Sequence, residues 1–445
     1  MVFVDLTKTF DTVNREGLWK IMEKFGCPRK FIKIVQQFHE GMMARVLDEG
    51  ELSEAFHVTN GVKQGCVLAP TLFSMMFAAM LTDVFWEGDE HGVKIRYRTD
   101  GNLFNLRRLK SSTKVKESTI SNLLFADDCA LATNSEEEMQ TYMDKFSMAC
   151  DRFGLTINTK KTEVMFQPAP REQYYDPVIN IKHQRLQSTD NFAYLGSLLS
   201  RSANIDSEVH NRISKASAAF GRLRVTVWER KGISIVTKLK VYQAIVLTTL
   251  LYASETWTVY SRHGRKLNHF HTSCLRRILK INWQDKIPDS EVLTRAKIPS
   301  VNTLLQKAQL RWVGHVARMP DKRIPKQLMY GELEGGRRLA GGQKKRFKDT
   351  LKVSLKCFDI DNTCWESLAQ DRQMWRCNNK RGTRIAENHR IVESQRKRAA
   401  RKDRAHNTHM SNLDHVCPTC GRGFCSRIGL YSHLRTHQRG ATVHV

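Results

Sequence analysis

Phe125-Ala126-Asp127-Asp128 lies at the middle of the stretch Ser121 to Thr133, and its reading decides the fold. Apolar residues flank it on both sides, so the stretch reads as strand, tight turn and strand with two carboxylates at the turn. Adjacent ionised aspartates raise each other's pKa, and keeping both charged calls for a compensating cation. Mg²⁺ suits an all-oxygen acidic site because it bridges carboxylates and substrate phosphates. A second acidic strand end, Val2-Phe3-Val4-Asp5, lies far upstream. Placed on adjacent strands of one sheet, Asp5, Asp127 and Asp128 would share an edge. Two ions held there could activate an attacking oxygen and stabilise a leaving one. The plain alternative is that all three are turn or capping carboxylates.

The surrounding pattern supplies a sheet and the helices to cover it. Asn14 can cap a first helix that Gly26 ends, and Pro28 to Gly41 gives a second with Phe31, Val35 and Phe38 on one face. Arg45 to Val58 reads as a hairpin, followed by the turn signal Asn60-Gly61. Pro70 to Phe85 is an apolar helix; the most apolar stretch, Val67 to Leu81, is short and contains Pro70, so it reads as a buried helix rather than a membrane span. Residues 87–120 read as a polar, basic insertion in which Val93, Ile95 and Tyr97 alternate. Ser135 can cap, and Gly154 end, a helix whose apolar stripe is Met139, Met143, Phe146, Cys150 and Phe153. From Ile205 the pattern turns helical, with Arg212, Lys215, Arg222 and Arg224 as its charge, and Val241 to Ala253 is a second apolar helix. A Gly/Arg/Lys loop spans Gly335 to Lys345.

The charge is extreme. Across 445 residues, 72 Lys and Arg stand against 45 Asp and Glu, a formal net charge of +27. Self-repulsion on that scale opposes compaction unless a polyanion neutralises it, and nucleic acid is the expected partner. No strongly basic helix with a clean apolar face suggests a membrane surface. Residues 371–404 carry twelve Lys and Arg against four Asp and Glu, a net +8, and read as a solvated helix or a disordered linker. Within them, Arg396 to Arg404 suits a nuclear-import signal or a phosphate-binding arm. The eleven cysteines are scattered, which fits a reducing, intracellular compartment. His271 and Cys274 have ligand-like spacing without a second pair and read as structural.

The chain closes on Cys417-x₂-Cys420-x₁₂-His433-x₃-His437, the spacing of a tetrahedral Cys₂His₂ zinc site. Phe424 and Leu430 fall where a ββα finger needs its small core, and Cys425 reads as an extra thiol. Ser426, Gly429 and Ser432 occupy the base-contacting positions, and none makes a bidentate base contact. Backbone contacts from Arg427 and Arg435 are expected, with a protein partner as the alternative.

Five segments in order resemble the palm motifs of reverse transcriptases from non-LTR (LINE-type) retrotransposons. Phe3-Val4-Asp5-Leu6-Thr7-Lys8-Thr9-Phe10-Asp11 is similar to the first, with Thr9 where the family usually has alanine. Gly61-Val62-Lys63-Gln64-Gly65-Cys66-Val67-Leu68-Ala69-Pro70 resembles the second, and Phe125 to Asp128 the third. Gly154 to Thr162 resembles the fourth, and Tyr194-Leu195-Gly196 the primer-grip turn; Tyr252 to Trp257 is similar to the helical region beyond.

The resemblance implies an RNA-directed DNA polymerase that uses an RNA template, a DNA primer or target and deoxynucleoside triphosphates. Asp5 and Asp127 would hold two Mg²⁺ ions with support from Asp128. Phe10 would exclude a 2′-hydroxyl, or else be a core aromatic. Gln64 would contact nucleotide or template, and Gly65 would admit close backbone approach. Lys161 would protonate pyrophosphate, or else be a solvated lysine. The family's fingers region precedes its first motif, so a palm truncated at that motif is expected. The alternative is an inactive nucleic-acid-binding remnant that keeps its finger.

The expected architecture is therefore α+β. A partial palm, with an antiparallel sheet backed by helices, occupies residues 1–200. A helical thumb-like region follows over 201–300, then a basic helical extension over 301–378, a basic linker over 379–412 and the Cys₂His₂ zinc finger over 413–440.

Overall fold

The computed structural model describes residues 1–85, 92–111, 113–168, 172–334, 345–410, 415–424 and 426–440. The fold is mixed α+β, and its centre is the strand Val2–Val4. All three of its residues are buried, as an uninterrupted apolar run demands. It pairs antiparallel with Asp128–Leu131 on one side and with Glu163–Val164 on the other. The five-stranded sheet runs Gln187–Ser188, Glu163–Val164, Val2–Val4, Asp128–Leu131, Asn122–Phe125. One join departs from the expected antiparallel arrangement: Glu163–Val164 and Gln187–Ser188 are parallel. The chain passes through a small hairpin, Asn180–Ile181 with Gln184–Arg185, and returns in the same direction.

Period-two alternation sends Val2 and Val4 to one face of the sheet and Phe3 to the other. The first face packs on helices Ala69–Phe85 and Glu136–Arg152 through Met76, Met80, Met143 and Phe146. On the second, Phe3 stacks on Phe192 with ring centroids 4.1 Å apart. Phe192 belongs to the hairpin Asn191–Tyr194 and Ser197–Ser200. The caps form as read: Asn14 accepts from the Gly17 N–H at 2.8 Å and Ser135 from the Glu138 N–H at 3.2 Å.

Helix Arg29–Gln37 buries Ile32 and Val35, whereas Phe31 and Phe38 are 44% and 66% exposed. The expected Phe31/Val35/Phe38 stripe is thus shifted, because Ile32 and Val35 better match the i, i+3 face turned to the core. Arg45 to Val58 is a two-tier hairpin, Met43–Ala44 with Phe56–His57 outside and Leu47–Asp48 with Glu51–Leu52 inside. In the insertion, Val93–Tyr97 pairs with Lys116–Ile120 and with a distant segment, Gly331–Leu333. Residues 87–91 of the insertion and 335–344 of the Gly/Arg/Lys loop lie outside the described residues.

Beyond the sheet the chain is helical. Helix Asp206–Arg222 packs with Ser261–Leu279 around Phe220, Tyr242 and Leu275. The segment read as one apolar helix from Val241 is a π-helical stretch, Tyr242–Leu247, followed by the short turn Thr248–Leu250. His271 and Cys274 are structural, as read. His271 is fully buried, its Nδ1 lies 2.7 Å from the Tyr242 hydroxyl, and burial pushes its pKa down to about 4. The stretch read as a basic linker from 379 is instead the greater part of one helix, Arg372–Met410. Trp375 anchors it by donating its indole N–H to the Leu310 carbonyl at 2.9 Å. The terminal strands His415–Val416 and Gly423–Phe424 pair antiparallel and precede helix Arg427–Gly440, a ββα unit.

Candidate functional site

The sheet register assembles the acidic edge. Val4 pairs with Cys129, so the next step along both strands sets Asp5 opposite Asp128. Phe125 pairs with Asp128, which leaves Ala126 and Asp127 as the turn, with Ala126 at φ +52°. Asp5 is fixed from the other side as well. Its N–H donates to the Thr162 hydroxyl at 3.2 Å, and its carbonyl accepts the Asn158 N–H at 2.8 Å. The fourth motif therefore buttresses the first through a main-chain bond and a threonine hydroxyl. Asp5 and Asp127 are half-buried and Asp128 is exposed.

The carboxylates sense one another. Partial burial, then the charges of Asp127 and Asp5, hold the Asp128 carboxyl above its ordinary value. A carboxyl whose folded pKa is raised disfavours the native state once it ionises. Its penalty is absent below the unfolded value and grows as pH rises through the folded one. Without divalent metal, Asp128→Asn should therefore stabilise the fold slightly at neutral pH, by an amount that solvent screening keeps small. The gain should vanish below about pH 3.5, under the unperturbed carboxylate range. Denaturant melts of both proteins at the two pH values check this, and a gain of equal size at both would contradict it.

Among the described residues, the one group of three or more His, Cys, Asp or Glu side chains with clustered ligand atoms is Cys417, Cys420, His433 and His437. The three carboxylates share an edge without closing into such a cluster.

Gly61 and Val62 are tied to the loop after Asp5, through Gly61 N–H to Val13 O at 2.9 Å and Val62 N–H to Phe10 O at 2.8 Å. Gly61, at φ +82°, has no room for a side chain, since a Cβ would lie 2.6 Å from the Asp11 carbonyl oxygen. The Phe10 ring is half-buried on Phe73, with centroids 4.9 Å apart. Gln64 and Gly65 are exposed; Gly65 has φ +87° with open space where a Cβ would be. Lys161 is exposed on a turn closed by its N–H to Asn158 O at 3.1 Å, three residues from the group that holds the Asp5 carbonyl.

Sequence reading missed Arg15. Its guanidinium donates to the carbonyls of Gly61, His39, Val58 and Asn60 at 2.8 to 3.2 Å, fastening the second motif to the first helix. It also misjudged Arg212, which is buried rather than part of a charged face. Arg212 donates to Glu208 at 2.7 Å and to the Gly196 carbonyl, and its guanidinium lies over the Tyr252 ring, 4.5 Å from the centroid. Glu208 accepts from the Leu198 N–H at 2.8 Å and the Ser197 hydroxyl at 3.1 Å, and the Tyr252 hydroxyl donates to Leu195 O at 2.8 Å. The Tyr194-Leu195-Gly196 turn is thus clamped to the helical region. On its other side the Tyr194 hydroxyl donates to Leu123 O at 2.9 Å, beside the aspartate hairpin. Burial first, and then the Asp128 charge, push this phenol up to about 12.

A buried pair broken on one side costs about 3–5 kcal/mol, because the surviving charge loses its partner. Arg212→Met should lower unfolding free energy on that scale, and adding Glu208→Gln should recover part of it. Calorimetry of the single and double variants tests this; a single variant as stable as the parent would contradict the clamp.

In the terminal unit, the Cys420 Sγ lies 3.1 Å from His433 Nε2, and the two His Nε2 atoms are 3.0 Å apart. All four ligand atoms lie within 4.8 Å of one another. Burial would raise the Cys417 thiol, but hydrogen bonds from the Thr419 and Cys420 backbone oppose it and bring it down to about 6. Cys425 lies outside the described residues.

Comparison with known proteins agrees with this geometry. The reverse transcriptase (RNA-dependent DNA polymerase) family matches residues 1–199. A transposon-derived protein of Caenorhabditis elegans is 27% identical over 59% of this chain and 96% of its own length. The RNA-directed DNA polymerase from mobile element jockey of Drosophila funebris is 24% identical over 70% of this chain. The Pol polyprotein from the R2DM element of Drosophila melanogaster is 27% identical over 43%. The chain spans 31% of the jockey polymerase and 17% of the R2DM polyprotein. Residues 1–199, with their aspartate hairpin beside the first strand, are a reverse transcriptase domain homologous to the RNA-directed DNA polymerases of non-LTR retrotransposons.

Proposed function

We propose that this domain copies RNA into DNA by metal-assisted nucleotidyl transfer at the edge formed by Asp5, Asp127 and Asp128. The observation that carries the reading is the register that sets Asp5 opposite Asp128 with Asp127 in the adjoining turn. The donor set fits Mg²⁺: it is all oxygen, partly open to solvent, and its mutual repulsion is relieved by a cation. Two such ions would supply Lewis acidity to the primer 3′-hydroxyl and to the leaving pyrophosphate. Asp5 and Asp127 would hold them, with Asp128 in support.

The remaining roles belong to the chain. Phe10, braced by Phe73, would bar a 2′-hydroxyl and so select deoxynucleoside triphosphates. Gln64 would contact the nucleotide or template, and the open space over Gly65 would let substrate approach the backbone. Lys161 would deliver a proton to pyrophosphate. The Tyr194-Leu195-Gly196 turn, held from both sides, would seat the primer end. Primer extension on an RNA template, with Asp127→Ala as the comparison, tests the proposal. A wild-type chain that binds nucleic acid but does not extend would favour the rival reading, a binding protein without turnover.

The terminal unit is read as a zinc site. Its two sulfur and two nitrogen donors suit tetrahedral Zn²⁺, which takes Zn–S near 2.3 Å and Zn–N near 2.0–2.1 Å. Arg427 and Arg435 would then meet phosphates rather than specify bases.

A further inference from the structure

Two adjoining cavities, about 950 and 790 Å³, run along helix Arg372–Met410 and share Gln306, Arg390 and Lys397. The far wall of the larger is built from Lys286, Lys356 and Asp359. The charge along this groove is strongly one-sided. Its acidic groups are already engaged: Glu393 by Arg396 at 3.0 Å and by Lys397 of the groove itself at 3.4 Å, Asp289 by Arg276 at 2.7 Å, Asp349 by Arg346 at 3.5 Å and Asp359 by Arg381 at 3.9 Å. Lys286, Lys356, Arg390, Arg398 and Arg401 have no ion pair of this kind among the described residues.

Arg390 is the most telling of them. Its Nε–H is buried without a hydrogen-bond partner, and burial holds its pKa below the ordinary value, with the Glu387 charge offsetting only part of the shift. A desolvated guanidinium with an unused donor is costly unless an anion supplies the acceptors. Arg390, Lys397 and Arg401 recur at spacings of seven and four, so they lie along one face of the helix. At 1.5 Å per residue they span about 16 Å. That length suits several consecutive phosphates of a strand and is far more than one small anion occupies.

We propose that this groove binds the phosphodiester backbone of a nucleic-acid strand, as a site separate from the aspartate edge. The proposal does not rest on polymerase activity, and Asp127→Ala should bind as the parent does. The chemistry is common to RNA and DNA, so both enter the test.

Labelled single-stranded RNA and duplex DNA are titrated with the full chain across a range of salt concentrations. The variant carries Arg390→Gln, Lys397→Gln, Arg398→Gln and Arg401→Gln. A control loses the same charge outside the groove, through Lys20→Gln, Lys24→Gln, Lys30→Gln and Lys33→Gln on exposed positions. Each lost phosphate contact lowers the slope of log K against log salt by about 0.9 for duplex and about 0.7 for a single strand. The groove variant should therefore lose about 3.6 in slope on duplex, about 2.8 on a single strand, and at least about tenfold in affinity at roughly 0.15 M salt. The control should lose less than one slope unit (about one contact). The polymer with the larger loss is the groove's ligand. A triple variant that keeps Arg390 and changes only the three exposed residues guards against misfolding and should follow the same direction. Equal losses in groove variant and control would mean diffuse attraction to the net charge and overturn the site. So would unchanged binding by the groove variant.

Discussion

Alanine at Asp127 is expected to lower primer extension on an RNA template by at least about a thousandfold, the scale on which groups that act as a unit fail together. The side chain sits in a two-residue turn whose partners, Phe125 and Asp128, are fixed by strand pairing. Its removal therefore deletes the proposed metal ligand without disturbing the sheet. Affinity for the template-primer should hold, since the change takes away a negative charge near a polyanion. Asp128→Asn should be milder, because that carboxyl is exposed and its proposed part is to support the ions rather than to centre them. The parent enzyme should also lose activity as the medium is acidified. A proton competes with metal for Asp128, and its raised pKa starts the competition at a higher pH than an ordinary aspartate would. Extension that persists in Asp127→Ala would refute the assigned role. Loss of both extension and binding would point to damage to the fold instead.

What could be read from the sequence follows from what local pattern encodes. The strand ends at Asp5 and Asp127 were legible because short apolar runs stop at acidic residues, and one sheet edge is the simplest way to use three carboxylates. Asn14 and Ser135 were legible because a cap depends on neighbours two or three residues away. Arg212 was not. A Glu208–Arg212 spacing of four is as common on a solvated face as in a core, and only the arrival of the Tyr194-Leu195-Gly196 turn and Tyr252 decides between them. The Phe31 and Phe38 stripe failed for a related reason, since amphipathic period alone does not fix which of two neighbouring faces meets the core. The pairing of Gly331–Leu333 with Val93–Tyr97 joins segments more than two hundred residues apart and has no local signature. Arg372–Met410 was left between helix and linker because its composition suits both; the buried Trp375 and the groove wall settle it as helix.

Removing zinc is expected to unfold residues 415–440 while leaving the remainder intact. The unit pairs only two residues on each strand, His415–Val416 with Gly423–Phe424, and its small core rests on Phe424 against His433, with ring centroids 4.8 Å apart. So little buried surface cannot offset the entropy of ordering the chain. Structural zinc contributes about 10–16 kcal/mol of apparent binding free energy in finger peptides near pH 7, and that energy is the folding energy. A chelator should therefore broaden or collapse the NMR signals of Leu430 and Phe424 and expose the last helix to protease. The helix Arg372–Met410 should stay protected around its buried Trp375 and Ala386. Cys417→Ser should reproduce the effect, because it takes a thiolate from the one buried ligand position. Acidification should do the same by protonating the thiolates and imidazoles that the metal needs. Restoring Zn²⁺ should reverse the chelator and not the mutation. A terminal unit that keeps its dispersed signals in chelator would refute the zinc site, and the four clustered side chains would then be a hydrogen-bonded group of no metal-binding consequence.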